Sequence, residues 1–389
     1  MNIYLEAFVD TNFGDNLFVH TVASRYPQHT FHMLKRDGYE ESYQRLLQYE
    51  KNICLIEAGE NKTFLSNMDA MMIVGGDIFG EHTDYGGLLS SVETIKKQGG
   101  QVFLLGLSLL ESYSPEISYS LKLLFTWADV IVVRETVTCK QIQTIVPKTN
   151  VMAATDMAFA LDVTDIISEK TEKGVLGISV RKKIPRNTPD AYTQYCESIA
   201  NTVEYYLKID ETNTVRFLAL SKGVFADEAV ADDITALCPE QCRARIQCVP
   251  FEGDVDGYIR EMQRCEKLLC TRFHALVFAI LLKKPFVPIV YEEKTKRLLW
   301  EIGYHGVCPS YEEQWNVDEL LNGFEETHCS EDTLEQYLNK AERFFVSVDP
   351  ILQNIKNNRK IHYVYKKILI TTYRIMHKLK IKFLAINSG

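Results

Sequence analysis

Short apolar runs alternate with longer segments of helical periodicity along most of the chain, the pattern of α/β layers built on parallel sheets. Ile3–Phe8, Ala70–Val74, Val102–Leu105, Val130–Val133 and Val151–Ala154 read as strands, with helices over Asn16–Ser24, Tyr43–Glu50, Gly87–Lys97 and Ser118–Trp127. From Asp162 to Lys173 the sequence turns polar and charged, as an interdomain linker does. A second alternation follows. Val175–Val180, Val215–Ala219, Ile246–Val249, Lys267–Cys270 and Phe286–Ile289 read as strands. Asp190–Leu207, Asp227–Ala236, Asp254–Arg264 and Ala275–Leu282 read as helices. The expectation is two doubly wound α/β domains, 1–165 and 174–345, facing across a cleft, with a tail over 346–389.

Composition changes this picture little, and charge changes it more. The chain has 389 residues, 46% hydrophobic and 24% charged, as in an ordinary soluble enzyme. Its net charge of −9 argues against nucleic acid as a general partner. Nine basic residues and no acidic one lie beyond Asp349, so the body up to that residue carries −18. Met1–Ala7 lacks the basic start, apolar core and cleavage site of a secretion signal, and no apolar run has the length of a membrane span. The ten cysteines show no CxxC pair; Cys238, Cys242 and Cys248 have metal-like spacing without a clean partner pair. Reduced thiols and a cytoplasmic location are expected.

Residues able to carry chemistry collect at the ends of the strands, where open parallel sheets place their ligands. Cys270-Thr271-Arg272-Phe273-His274-Ala275-Leu276 sets an arginine and a histidine two apart, heading a segment apolar through Leu282. An unpaired charge is costly to bury. Arginine grips a carboxylate or phosphate through two parallel hydrogen bonds, and histidine carries a proton near neutral pH. A core histidine beside a surface-paired arginine is the plainer alternative. Arg134 ends another buried-looking strand, with Glu135 or a helix terminus as its ordinary partner. Gly75-Gly76-Asp77 follows a strand and permits close backbone approach to a ligand, though paired glycines also mark any tight turn.

Asn12-Phe13-Gly14-Asp15 opens a helix directly after the first strand. Gly14 permits the turn, Asp15 is placed as an N-cap, and the helix start is able to receive an anion. Thr155-Asp156 ends a strand in the same fashion, and Arg181 ends another, with Lys182, Lys183 and Arg186 behind it. Past the last strand, Tyr291-Glu292-Glu293-Lys294 offers carboxylates for sugar hydroxyls and an ammonium for a phosphate, or else a solvated charge cluster.

In this order the blocks resemble the polysaccharide pyruvyl transferase family over roughly residues 10 to 305. Two departures stand out: Asp77 where many relatives have a third glycine, and Thr271 where they have serine. The resemblance implies a GT-B-like fold of two Rossmann-like domains. It implies transfer of pyruvate from phosphoenolpyruvate to a sugar of a capsule, exopolysaccharide or lipid-linked glycan intermediate, forming a ketal. Arg134 and Arg272 are then expected to hold the donor's carboxylate and phosphate, with Gly75, Gly76 and Lys294 beside them. His274 is expected to transfer the proton, a role typically worth about 10²–10⁴-fold. Asp15 is a further catalytic candidate and, with Asn12 and Glu292, an acceptor contact. No cofactor and no metal is expected. A GT-B nucleotide-sugar glycosyltransferase and an inert glycan-binding scaffold are the competing readings.

Ile361, Val364, Ile368, Ile375, Leu379 and Phe383 recur at helical intervals, with Lys360, Lys367, Arg374 and Lys378 on neighbouring faces. A basic amphipathic helix of this kind over 356–389 is expected either to lie on an anionic membrane surface or to dock on the acidic body. The first reading would make the protein peripheral on the inner face of the membrane.

Overall fold

Two parallel sheets carry the fold of the computed structural model, which describes residues 1–9, 12–57, 64–182, 190–222, 226–325, 330–353, 366–368 and 370–375. The first contains β1 (Asn2–Ala7), β2 (Thr30–Leu34), β3 (Ile53–Ile56), β4 (Ala70–Val74), β5 (Gln101–Leu107), β6 (Val130–Val133) and β7 (Val151–Ala153), in the spatial order 3-2-1-4-5-6-7. The second contains β8 (Val175–Ser179), β9 (Thr214–Ala219), β10 (Ile246–Pro250), β11 (Lys267–Cys270) and β12 (Phe286–Pro288), in the order 10-9-8-11-12. Helices cover both faces, so β4, β5 and β6 are buried at every position and, apart from Gln101 at the start of β5, read as apolar runs.

β2 and β3 were not apparent in the hydrophobic pattern. They lie toward one edge of the first sheet, and in Thr30–Leu34 only Phe31 and Met33 are buried. His32 and Thr30 interrupt an already short run, so the apolar signal falls below that of the central strands. The helices Glu293–Glu301, Val317–Asn322, Glu331–Ala341 and Arg343–Gln353 extend the second half beyond its last strand.

Strand order fixes where ligands gather. In the first sheet the winding reverses between β1 and β4, and in the second between β8 and β11. Such a reversal opens a crevice beyond the carboxyl ends of the two strands. The Asn12 turn and Gly75-Gly76 leave the first crevice, and Arg181 and Arg272 leave the second.

The helix Phe13–Arg25 joins the two lobes. Phe13 and Leu17 belong to the second lobe's core, while Phe18, Val19, Val22 and Ala23 belong to the first lobe's. The Phe13 ring lies 5.3 Å from Phe251, 5.2 Å from Tyr258 and 5.6 Å from Phe278. Its backbone N–H donates to Leu220 O at 2.8 Å, and Asn12 forms an antiparallel bridge with Ser221. His20, two turns further along the same face, sits between Glu50 of the first lobe (2.6 Å from Nδ1) and Asp256 of the second (3.2 Å from Nε2). In the reverse direction, Phe344, Phe345, Val348 and Leu352 of the helix Arg343–Gln353 pack into the first lobe's core.

The described part of the basic tail docks on the first lobe. Lys366 Nζ lies 2.9 Å from Asp129 Oδ1 and donates to Trp127 O at 3.0 Å. Ile370 is 2% exposed within the first lobe's second core cluster, and Lys122 lies over the Tyr373 ring. Ile361, Val364, Leu379, Phe383, Lys360 and Lys378 lie outside the described residues. No described helix is long and apolar enough to cross a membrane.

Phe13→Ala is expected to lower stability by about 3–5 kcal/mol, the usual loss for a buried ring, and to uncouple the lobes. Calorimetry should then resolve two unfolding transitions where the parent shows one. A second expectation concerns pH. Burial alone would lower the pKa of His20, but its hydrogen bonds to Asp256 and Glu50 outweigh burial and raise it to about 9. Stability from this raised value is fully present below about pH 6.5 and is lost as pH rises through about 9. Between those limits the parent should lose about 3 kcal/mol more than His20→Gln, read from urea titrations at each pH.

Candidate active site

Arg134 leaves the end of β6 and turns its side chain across the end of β4. Its Nε donates to Ser108 Oγ at 2.6 Å and its Nη2 to Asp77 Oδ1 at 2.8 Å. Nη1 lies over the glycine turn: a Cβ at Gly76 would stand 2.6 Å from it. Gly76 is thus the residue that lets the guanidinium lie against bare backbone, and Gly75 takes φ +151°, a region side-chain-bearing residues rarely adopt. Asp156, at the end of β7, places Oδ2 3.8 Å from Nη1, and Glu135 places Oε1 3.6 Å from Nε.

His274 stands in the first turn of the helix Phe273–Leu281, facing this group from the second lobe. Its Nε2 is 3.9 Å from Asp156 Oδ1 and has no hydrogen-bond partner although buried, as does Asp156 Oδ2. Separations of 3.8 and 3.9 Å exceed a hydrogen bond. Three polar groups therefore converge without satisfying one another, the arrangement expected where a small polar ligand binds. Burial lowers the His274 pKa to about 4; Asp156 raises it in part, while Lys294 and Arg134 lower it further. The imidazole is neutral at pH 7. Gly14 lies against the ring, since a Cβ there would stand 2.4 Å from Nδ1.

A small cavity of about 40 Å³ opens between the lobes here, lined by Arg134, Glu135 and Asp156 from one side and Phe273, Lys294 and Arg297 from the other. Lys294 Nζ is 3.0 Å from Glu292 Oε1 and lies over the Phe273 ring. Arg297 pairs with Glu135 across the cleft.

Arg272 is placed differently. Its Nε donates to Asp227 Oδ2 at 3.0 Å and its Nη2 to Asp227 Oδ1, a fork buried within the second lobe. Burial raises the Asp227 carboxyl to about 6 against the pull of this guanidinium. Backbone N–H groups of Thr271 and Arg272 both donate to Ser179 Oγ, fixing the corner between β11 and the helix. Asp15 is not the helix cap: Asn12 caps it, accepting from the Gly14 N–H at 3.1 Å, and Asp15 stands half-buried in the first turn.

The structure thus gathers Gly75, Gly76, Arg134, His274, Glu292 and Lys294 at one cleft, with Asn12 and Asp15 at the helix start beside it. Ser108, Asp227 and Arg297 escaped the sequence reading, which had named Glu135 only as an ordinary partner for Arg134. For Arg297 a signal existed, because three residues from Lys294 on a helix places both on one face. For Asp227 there was none, since an acid at a helix start reads as a favourable terminal charge.

Two facing Rossmann-like lobes with a polar cleft at their strand ends define a protein of the GT-B-like class, which the solved structures bear out. The chain is similar to the UDP-GlcNAc 2-epimerase from Methanocaldococcus jannaschii (TM-score 0.60, 9% identity, 90% of this chain and 99% of that one). It is also similar to the enzymes from Rickettsia bellii (0.55, 12%, 93% and 99%) and from Neisseria meningitidis bound to UDP-GlcNAc (0.54, 10%, 91% and 100%). At these identities the likeness concerns the fold. No curated protein matches the chain in sequence. The model of the polysaccharide pyruvyl transferase family matches residues 12–293. The chain belongs to that family.

Gly14→Ala is expected to push the His274 ring from the cleft and reduce the transferase rate by about 100-fold, with little change in melting temperature. Imidazole NMR shifts and initial rates read the two effects separately.

Proposed function

We propose that the protein transfers pyruvate from phosphoenolpyruvate to a sugar of a surface-polysaccharide or lipid-linked glycan intermediate, forming a ketal on two hydroxyls. The observation that carries this reading is Arg134 laid over Gly76, opposite Lys294 and Arg297, with the unpartnered Nε2 of neutral His274 at the same cleft. Phosphoenolpyruvate is a small anion with a carboxylate and a phosphate on adjacent atoms. Arg134 takes one of these groups bidentately, and Lys294 with Arg297 takes the other across the cleft. The second-guanidinium role first given to Arg272 passes to Arg297. Arg272, forked to Asp227, is a positioning residue that anchors the helix carrying His274.

In the first step a sugar hydroxyl oxygen bonds to C2 of the donor, and its proton, taken up by Nε2 of His274, is passed on to C3, which leaves His274 neutral again. In the second, a neighbouring hydroxyl bonds to C2, the C2–O bond to phosphate breaks, and the hydroxyl proton leaves with phosphate. Neutral His274 suits acceptance of the first proton, and a bound dianion raises its pKa toward the working pH. Asn12, Asp15 and Glu292, on either side of the cleft, are proposed acceptor contacts. No step calls on a metal or cofactor. We place the reaction in the cytoplasm, where phosphoenolpyruvate is made.

Purified protein mixed with phosphoenolpyruvate and glycan or glycolipid acceptors should release phosphate in step with an acceptor mass gain. Arg134→Gln should lower kcat/KM for phosphoenolpyruvate by about 100-fold, some 2.7 kcal/mol. Acceptor modification that depends on a sugar nucleotide instead would overturn the proposal in favour of a glycosyltransferase.

A further inference from the structure

We infer that Asp77 is an internal competitor for the donor, occupying Arg134 in the empty site and setting the affinity threshold that an incoming anion must exceed. This rests on the donor reading above. Arg134 is 8% exposed, and its Nε is committed to Ser108 Oγ beneath it. Its Nη2 is held by Asp77 Oδ1 at 2.8 Å. The Asp77 side chain, by contrast, is 63% exposed. One partner is fixed and the other stands in water on the tip of the Gly75-Gly76 turn. The carboxylate is therefore free to leave without unfolding anything.

Its chemistry is that of the ligand. A carboxylate on Nη2 is the contact that the donor's own carboxylate or phosphate would make. Asp77 binds through one oxygen, whereas a free carboxylate or phosphate offers two to the fork, so a well-placed donor displaces it. Because the competitor is tethered, its effective concentration is in roughly the millimolar range or above. A weak anion touching Arg134 alone stays out. An anion that also reaches Lys294 and Arg297 gains enough to enter. Every anion that uses Arg134 meets the same displacement cost, so removing Asp77 should tighten all of them by a similar factor. A carboxylate that merely held Arg134 in position would give the opposite sign.

The test is calorimetric titration of phosphoenolpyruvate and of inorganic phosphate into the parent, Asp77→Ala, Asp77→Asn and Asp77→Glu proteins, each also in an Arg134→Gln background. We expect Asp77→Ala and Asp77→Asn to lower Kd by about tenfold for both anions, Asp77→Glu to stay near the parent, and Arg134→Gln to abolish the gain. KM for phosphoenolpyruvate should fall in parallel. Unchanged or weakened binding of both anions in Asp77→Ala overturns the inference and makes Asp77 a positioning residue. If no protein binds phosphoenolpyruvate while phosphate still tightens, the donor reading fails and the competitor stands.

Discussion

The insertion of Phe13 into the second lobe's core is the constraint on which the site depends. A phenylalanine at the first position of a first-lobe helix is completely buried among Phe251, Tyr258 and Phe278. Burying such a ring contributes about 1.5–3 kcal/mol, and its backbone bond to Leu220 fixes direction as well as depth. Gly14 follows it immediately and meets the His274 ring. The residue that docks the lobes is thus next to the one that seats the proton-transfer group. The contact between Gly14 and the His274 ring therefore ties the geometry of the chemistry to the packing that joins the lobes.

The second constraint is charge. Around the cleft the cations Arg134, Lys294 and Arg297 meet the carboxylates Asp77, Glu135, Asp156 and Glu292. With His274 neutral, the carboxylates outnumber the cations by one, so the cations are not left desolvated and unpaired. Binding an anion then becomes an exchange of partners. The carboxylates able to yield are the exposed ones, and Asp156, buried at the end of β7, is not among them. It lies 3.8 Å from Arg134 Nη1 and 3.9 Å from His274 Nε2, near enough to oppose in part the lowering of the imidazole pKa by burial.

The tail shows how one composition supports two readings. Its excess of positive charge was legible, and so was an amphipathic repeat. What selects docking for residues 366–368 and 370–375 is a buried carboxylate: Asp129 already holds Lys96 Nζ at 2.7 Å and takes Lys366 as a second cation. Burial of that carboxylate would raise its pKa, and the two ammonium groups instead lower it below the ordinary value. Sequence gave both sides of this contact and no means of pairing residues so far apart along the chain.

The central strands, most helices and the strand-end placement of Gly75, Gly76, Arg134, His274 and Lys294 were determined by the sequence itself. Buried parallel strands must be apolar throughout, and a polar residue at the end of such a run has few reasons to be there. The edge strands β2 and β3 were beyond its reach because half-exposed strands carry a diluted pattern. Tertiary structure alone decided which cation faces which lobe. Arg272 and Arg134 look alike as strand-end arginines, yet Asp227 claims the first and Asp77 the second. Such pairings join residues 45 and 57 positions apart, and only the winding order of the two sheets brings them within a hydrogen bond.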